Sequence, residues 1–156
     1  MTQKAFQDYY TEDFSHCYGC GSLNEHGLQI KSYWDGDESV AKFTPNEHHI
    51  AIPGYVYGGL IASLVDCHCV GTAAAATYKA EGRSMDTKPA LRFVTASLKI
   101  DYLAPTPLGV ELEIRGKVVE VKGKKVVIDA MVIAENKTCA SGNVVAVQMP
   151  DSMKIK

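Results

Sequence analysis

The stretch 52–78, IPGYVYGGLIASLVDCHCVGTAAAATY, limits what this 156-residue chain can fold into more than any other. From Gly58 to about Ala80 it reads as one long helix. With an alanine run at 73–76 and few polar side chains, it leaves no solvent-facing stripe. A helix that is apolar nearly all round has to be enclosed by the rest of the chain. Two of its features are costly in a purely structural element. It begins on paired glycines, Gly58 and Gly59, although glycine is about 1 kcal/mol worse than alanine in a helix. It also carries one carboxylate, Asp66, among Leu60, Ile61, Leu64, Val65 and Val70, where burying a charge is unfavourable.

The flanking segments supply the enclosure. GLQIKSYW and SVAKFTP surround Asp35-Gly36-Asp37, a hairpin signal between two short strands. After the polar loop EGRSMDTKP the period changes to two. Val94, Ala96, Leu98, Ile100 and Tyr102 alternate with Thr95, Ser97, Lys99 and Asp101, which predicts a half-buried strand. APTPLG interrupts the pattern, because proline cannot donate to a central ladder. VELEIRGKVVEV resumes it and slips phase near Gly116, which predicts a bulge there. KGKK and ENKT then turn the chain into VVIDAMVIA and CASGNVVAVQM. The expected order is strand, strand, helix, then four strands in a meander: an α+β fold in which an antiparallel sheet covers the helix. No repeat, linker or low-complexity run divides the chain, so 1–156 is expected to be one domain. Residues 1–25 form a helical or irregular lead-in with turn chemistry at CYGCGS.

Composition narrows the function class. A net charge of −2 and a pI near 6.2 give no reason to expect nucleic acid or an anionic membrane as partner. The polar, acidic start MTQKAFQDYYTEDF does not read as a signal peptide, and no stretch approaches ~18 uninterrupted apolar residues. The five cysteines, Cys17, Cys20, Cys67, Cys69 and Cys139, are odd in number and lack a secreted-scaffold spacing. Reduced thiols and a cytoplasmic location are the expectation.

A helix amino terminus offers unpaired amides and the positive end of the dipole, and glycine there lets a ligand oxygen approach the backbone. Gly58 and Gly59 therefore suit an oxyanion hole, and Asp66 suits a base or nucleophile tuned by burial. The same residues also fit a packing role, with glycines for close helix–sheet approach and Asp66 as a satisfied core carboxylate. Eight residues separate Gly58 from Asp66, about 12 Å along a helix. A reacting carbonyl must lie ~3 Å from both its oxyanion donor and its attacking group, so one helix cannot supply both. If the pair is catalytic, two chains share each site, as in a two-fold dimer.

The segments PGYVYGGLIASLVD, CYGCGSLNEHGLQIKSY and FVTASLKIDYLAPTPLG, with this order of elements, resemble the hot-dog-fold acyl-CoA thioesterases. The PaaI-like group and its mitochondrial relatives are most similar, and the likeness covers roughly 17–149. The resemblance implies an antiparallel sheet wrapped around one central helix and hydrolysis of an acyl-CoA to the acid and free coenzyme A. It implies no metal or redox cofactor, and a homo-oligomer: a dimer with shared sites or a tetramer. Residue by residue, Gly58 becomes the oxyanion donor, Asp66 the base or nucleophile from the partner chain, and Thr95 the group orienting water or carboxylate. Gly59, His49 and Arg92 are the expected substrate contacts. One position departs from the family: where most relatives have histidine before the paired glycines, this chain has Tyr57. A phenol donates hydrogen bonds but is a poor base at neutral pH. His68 is no substitute, since i and i+2 point to different helix faces, whereas His48 and His49 lie in the loop before the helix. The alternatives are an acyl-thioester hydratase or dehydratase, which usually needs a histidine beside the carboxylate, and a silent acyl-CoA binder.

Cys17 and Cys20 have metal-ligand spacing, but zinc needs four ligands and no second pair follows at the usual separation. Cys67, His68 and Cys69 would complete a site only through the fold, so a structural turn without metal is expected. Lys122, Lys124 and Lys125 read as a solvated hairpin tip, Lys88 with Arg92 as candidate phosphate contacts, and Trp34 as a packing residue.

Overall fold

The apolar segment forms helix α1, Gly58–Ala80, in a computed structural model that describes residues 3–154. The first two residues of the expected lead-in and the last two of the chain lie outside the described residues. Six strands accompany the helix: β1 (Ser32–Asp35), β2 (Glu38–Phe43), β3 (Phe93–Tyr102), β4 (Leu112–Lys122), β5 (Lys125–Ala134) and β6 (Lys137–Gln148). They form one antiparallel sheet in the order β1-β2-β4-β5-β6-β3. By length and composition α1 could cross a membrane. Here it packs against β3, β4, β5 and β6 and buries Leu60, Ile61, Leu64 and Val65 against Ile114, Ile128 and Val144.

Local chemistry explains the connections. Gly36, at φ +65°, opens the loop between β1 and β2, where a type II′ turn places glycine. Glu135 and Asn136 link β5 to β6 with φ of +51° and +63°, the positive pair that a type I′ turn requires. The four-strand meander is corrected, since only β4, β5 and β6 follow one another. The connection 103–111, which carries Pro105 and Pro107, is too long for a tight hairpin, and β3 lies on the far side of β6.

The register slips in three places, one of them between Val132 and Ile133 of β5. The bulge expected near Gly116 falls between Val118 and Glu120. The third slip, between Thr95 and Ser97, changes the phase of β3. Strict alternation would put Thr95 on the face opposite Leu98, Ile100 and Tyr102. With the bulge, Thr95 and Tyr102 both reach α1.

The helix's buried polar groups are satisfied. His68 faces away from the Asp66 side and bonds Ser32 Oγ through Nδ1 at 2.8 Å and Ser39 Oγ through Nε2 at 2.9 Å. Gln7 of the lead-in donates to Ser32 Oγ, and Thr72 shares a bond with Ser39. Burial holds the His68 ring down to about 4, so it is neutral near pH 7.

Candidate active site

Asp66 lies in the third turn of α1, where the edge strand β3 crosses it. Thr95 Oγ1 donates a 2.5 Å hydrogen bond to Asp66 Oδ1. The pair opens into a cavity of about 260 Å³ whose other walls include Phe14, Val70, Ala74, Leu91 and Phe93. Burial pushes the Asp66 carboxyl above the usual carboxylate range; the Thr95 bond pulls it back, and the nearby Cys17 sulfur pushes it up again. A carboxylate held by one hydroxyl beside an apolar hollow can take a proton from water or attack an electrophile.

The helix start has a different setting. Tyr57 precedes it at φ −60°, ψ 130°, with no side-chain cap, and its carbonyl accepts from the Leu60 and Ile61 amides. Among the described residues the Gly58 and Gly59 amides have no protein acceptor. Both glycines also admit aromatic rings. A Cβ on Gly59 would stand 2.4 Å from the Tyr57 ring, and one on Gly58 would stand 3.2 Å from the Tyr102 ring. The Tyr102 hydroxyl donates to the Gly58 carbonyl at 2.6 Å. Tyr57, Gly59 and His49 line a second hollow of about 590 Å³, together with Tyr18, His48 and Ser63. His49 accepts the Asn46 amide on Nδ1 at 2.9 Å, and burial with the neighbouring His48 lowers its pKa.

Within one chain, then, the helix start and Asp66 serve separate cavities. Arg92 borders the Asp66 cavity, but its guanidinium lies 4.2 Å from the Phe14 ring and donates to Thr11 and the Leu91 carbonyl. The lysines 122, 124 and 125 flank the β4–β5 turn, as expected of a hairpin tip. One contribution escaped the sequence reading: Phe14 and Tyr10 wall the cavity from the lead-in, which carries no strong periodicity. Of the three residues that could join Cys17 and Cys20 through the fold, Cys67 stands beside them, while His68 is bonded to Ser32 and Ser39.

The helix-in-sheet architecture is that of the hot-dog thioesterases. The family model described as the thioesterase superfamily matches residues 53–141, and the chain belongs to that family. It is 34% identical over 87 residues to the acyl-coenzyme A thioesterase THEM4 of Xenopus laevis, covering 56% of this chain and 33% of that protein. The chain thus spans about a third of the length of that curated relative. A thioesterase superfamily protein from Shewanella loihica PV-4 is 47% identical, with a TM-score of 0.69 over 90% of this chain and 100% of that one. The Escherichia coli PaaI protein, from the phenylacetic acid degradation operon, shares the fold at 19% identity and a TM-score of 0.63, over 79% of this chain and 81% of its own. A Streptococcus mutans UA159 protein solved bound to acetyl-CoA does so at 18% identity and a TM-score of 0.63, over 82% and 96%.

Proposed function

We propose that this protein hydrolyses acyl-CoA thioesters to a carboxylic acid and free coenzyme A, with Asp66 as base or nucleophile. The observation that carries the reading is the Asp66–Thr95 pair at the mouth of an apolar-walled cavity. An acyl chain suits those walls, and a thioester carbonyl reaching Asp66 meets the one carboxylate among the cavity's lining residues, a group able to activate water. In the general-base form, Asp66 takes a proton from water as the water oxygen bonds to the carbonyl carbon. A backbone amide at Gly58 stabilises the resulting oxyanion. Collapse breaks the carbon–sulfur bond, and the thiolate leaves with the proton that Asp66 held. Tyr57, Gly59 and His49 border the approach to the helix start, with the Tyr57 phenol as an auxiliary hydrogen-bond donor; Arg92 borders the Asp66 cavity as a candidate coenzyme contact.

Two features support a shared site between two copies of the chain. Gly58 and Asp66 are about 12 Å apart along the helix, too far to act on one carbonyl. The strand carrying Thr95 ends the sheet, pairs among the described residues only with β6, and exposes Leu98 and Tyr102. A dimer that pairs these edges covers the apolar surface and places the helix start of one chain near Asp66 of the other.

The test is release of free coenzyme A, followed with a thiol reagent across short, medium, long and aromatic acyl-CoAs. Saturable release above the blank for at least one class is expected. Binding of intact thioester without release favours a silent binder, and addition or loss of water on the acyl chain without thiol release favours a hydratase.

A further inference from the structure

Cys67 comes from α1, some fifty residues from the Cys17–Cys20 turn, yet the three sulfurs lie within 4.8 Å of one another. Cys17 Sγ is 3.6 Å from Cys67 Sγ. Two thiolates at ~2.3 Å from a tetrahedral zinc stand about 3.8 Å apart, whereas a disulfide needs a separation near 2.05 Å. The spacing is close to that of two ligands on one ion and well outside that of a disulfide.

The backbone is shaped around the sulfurs. Gly21 N–H closes the turn on the Cys17 carbonyl at 2.8 Å. A Cβ on Gly19 would stand 2.2 Å from Cys67 Sγ, so only glycine there admits the third sulfur. A Cβ on Gly21 would stand 2.5 Å from both the Cys17 nitrogen and the Ser15 carbonyl. A turn built merely to reverse the chain has no need of a thiol from the central helix at its centre.

We propose that Cys17, Cys20 and Cys67 bind one zinc ion per chain as thiolates, clamping the lead-in onto α1. Thiolates select borderline-soft ions of this kind over magnesium or calcium, and three are too few for an all-cysteine iron–sulfur cluster. The three cysteines line the same cavity as Asp66, so the fourth coordination position faces that hollow and is filled by water. The ion takes no step in the hydrolysis proposed above. It holds the segment from which Tyr10 and Phe14 wall the cavity.

The test reads metal rather than turnover, so it stands or falls apart from the thioesterase reading. Full-length protein purified under reducing conditions without chelator should carry one zinc per chain by elemental analysis. After zinc is stripped and the thiols are kept reduced, titration with cobalt(II) chloride should saturate at one equivalent. The spectrum should show a thiolate-to-cobalt charge-transfer band and the intense visible bands of a tetrahedral ion. Cys67→Ser should weaken cobalt binding by at least ~10-fold, while Cys139→Ala, in the core on β6, should bind as the parent does. Because the titration of the parent protein needs no variant, a folding defect in Cys67→Ser leaves the test intact. Reduced parent protein that gives no saturable charge-transfer band overturns the proposal. So does undiminished cobalt binding by folded Cys67→Ser, or a Cys17–Cys67 disulfide as the only chemistry of the cluster.

Discussion

At the scale of single residues, the proposed hydrolysis depends on Asp66 and the hydroxyl that holds it. Asp66→Asn keeps the size and the capacity to accept the Thr95 bond but removes the basic oxygen. It should lower kcat by at least ~10²-fold with the fold intact by circular dichroism. Thr95→Ala removes the donor seen at 2.5 Å and should lower kcat on the order of tenfold, with Thr95→Ser restoring most of it. Full turnover in a folded Asp66→Asn variant would end the mechanism. Asp66 was legible in the sequence because a lone carboxylate on an apolar helix demands a reason. Thr95 was legible only through the family resemblance, since threonine is an ordinary strand residue and strict alternation places it opposite Leu98 and Ile100. The bulge that turns it toward the helix depends on pairing with β6, which no local pattern reveals. The setting of Arg92 was hidden for a similar reason: its stacking on Phe14 depends on where an aperiodic lead-in comes to rest.

Among the elements, α1 is the best specified, and its polar face opposite Asp66 offers a stability test independent of catalysis. His68 joins Ser32 of β1 to Ser39 of β2, tying the first hairpin to the helix. His68→Leu fills the space with carbon and leaves the Ser32 and Ser39 hydroxyls without the ring. A loss of about 1–3 kcal/mol is expected, read as a lower urea midpoint with an unchanged slope. An unchanged midpoint would mean that the network contributes nothing. The helix and all six strands could be read from periodicity and turn residues, because each side-chain pattern is set by the period of its own element. Strand order could not. Two-residue turns at Gly36 and at Glu135–Asn136 dictate which strands are neighbours, whereas the connection 103–111 carries no geometric instruction. Its destination beside β6 is set by tertiary pairing, and that destination brings β3 to Asp66.

At the scale of the whole molecule, the sheet ends on β3, and the helix start and the carboxylate open into separate hollows. On the shared-site proposal a single chain holds two half-sites, so activity should belong to the dimer. The decisive measurement mixes two inactive variants, Asp66→Asn and Gly58→Pro. Proline suits the first helical position, Tyr57 before it is already extended at ψ 130°, and the nearest obstacle to a side chain is the end of the Tyr102 ring. It removes the amide without forbidding the helix. Each homodimer should be nearly inactive in coenzyme A release. After subunit exchange, a heterodimer has one site with both defects and one with neither. Up to about half the parent activity per heterodimer should therefore return, in proportion to its measured fraction. Folded heterodimers that stay inactive would contradict the shared site and return the glycines to the packing role they visibly fill beside Tyr57 and Tyr102.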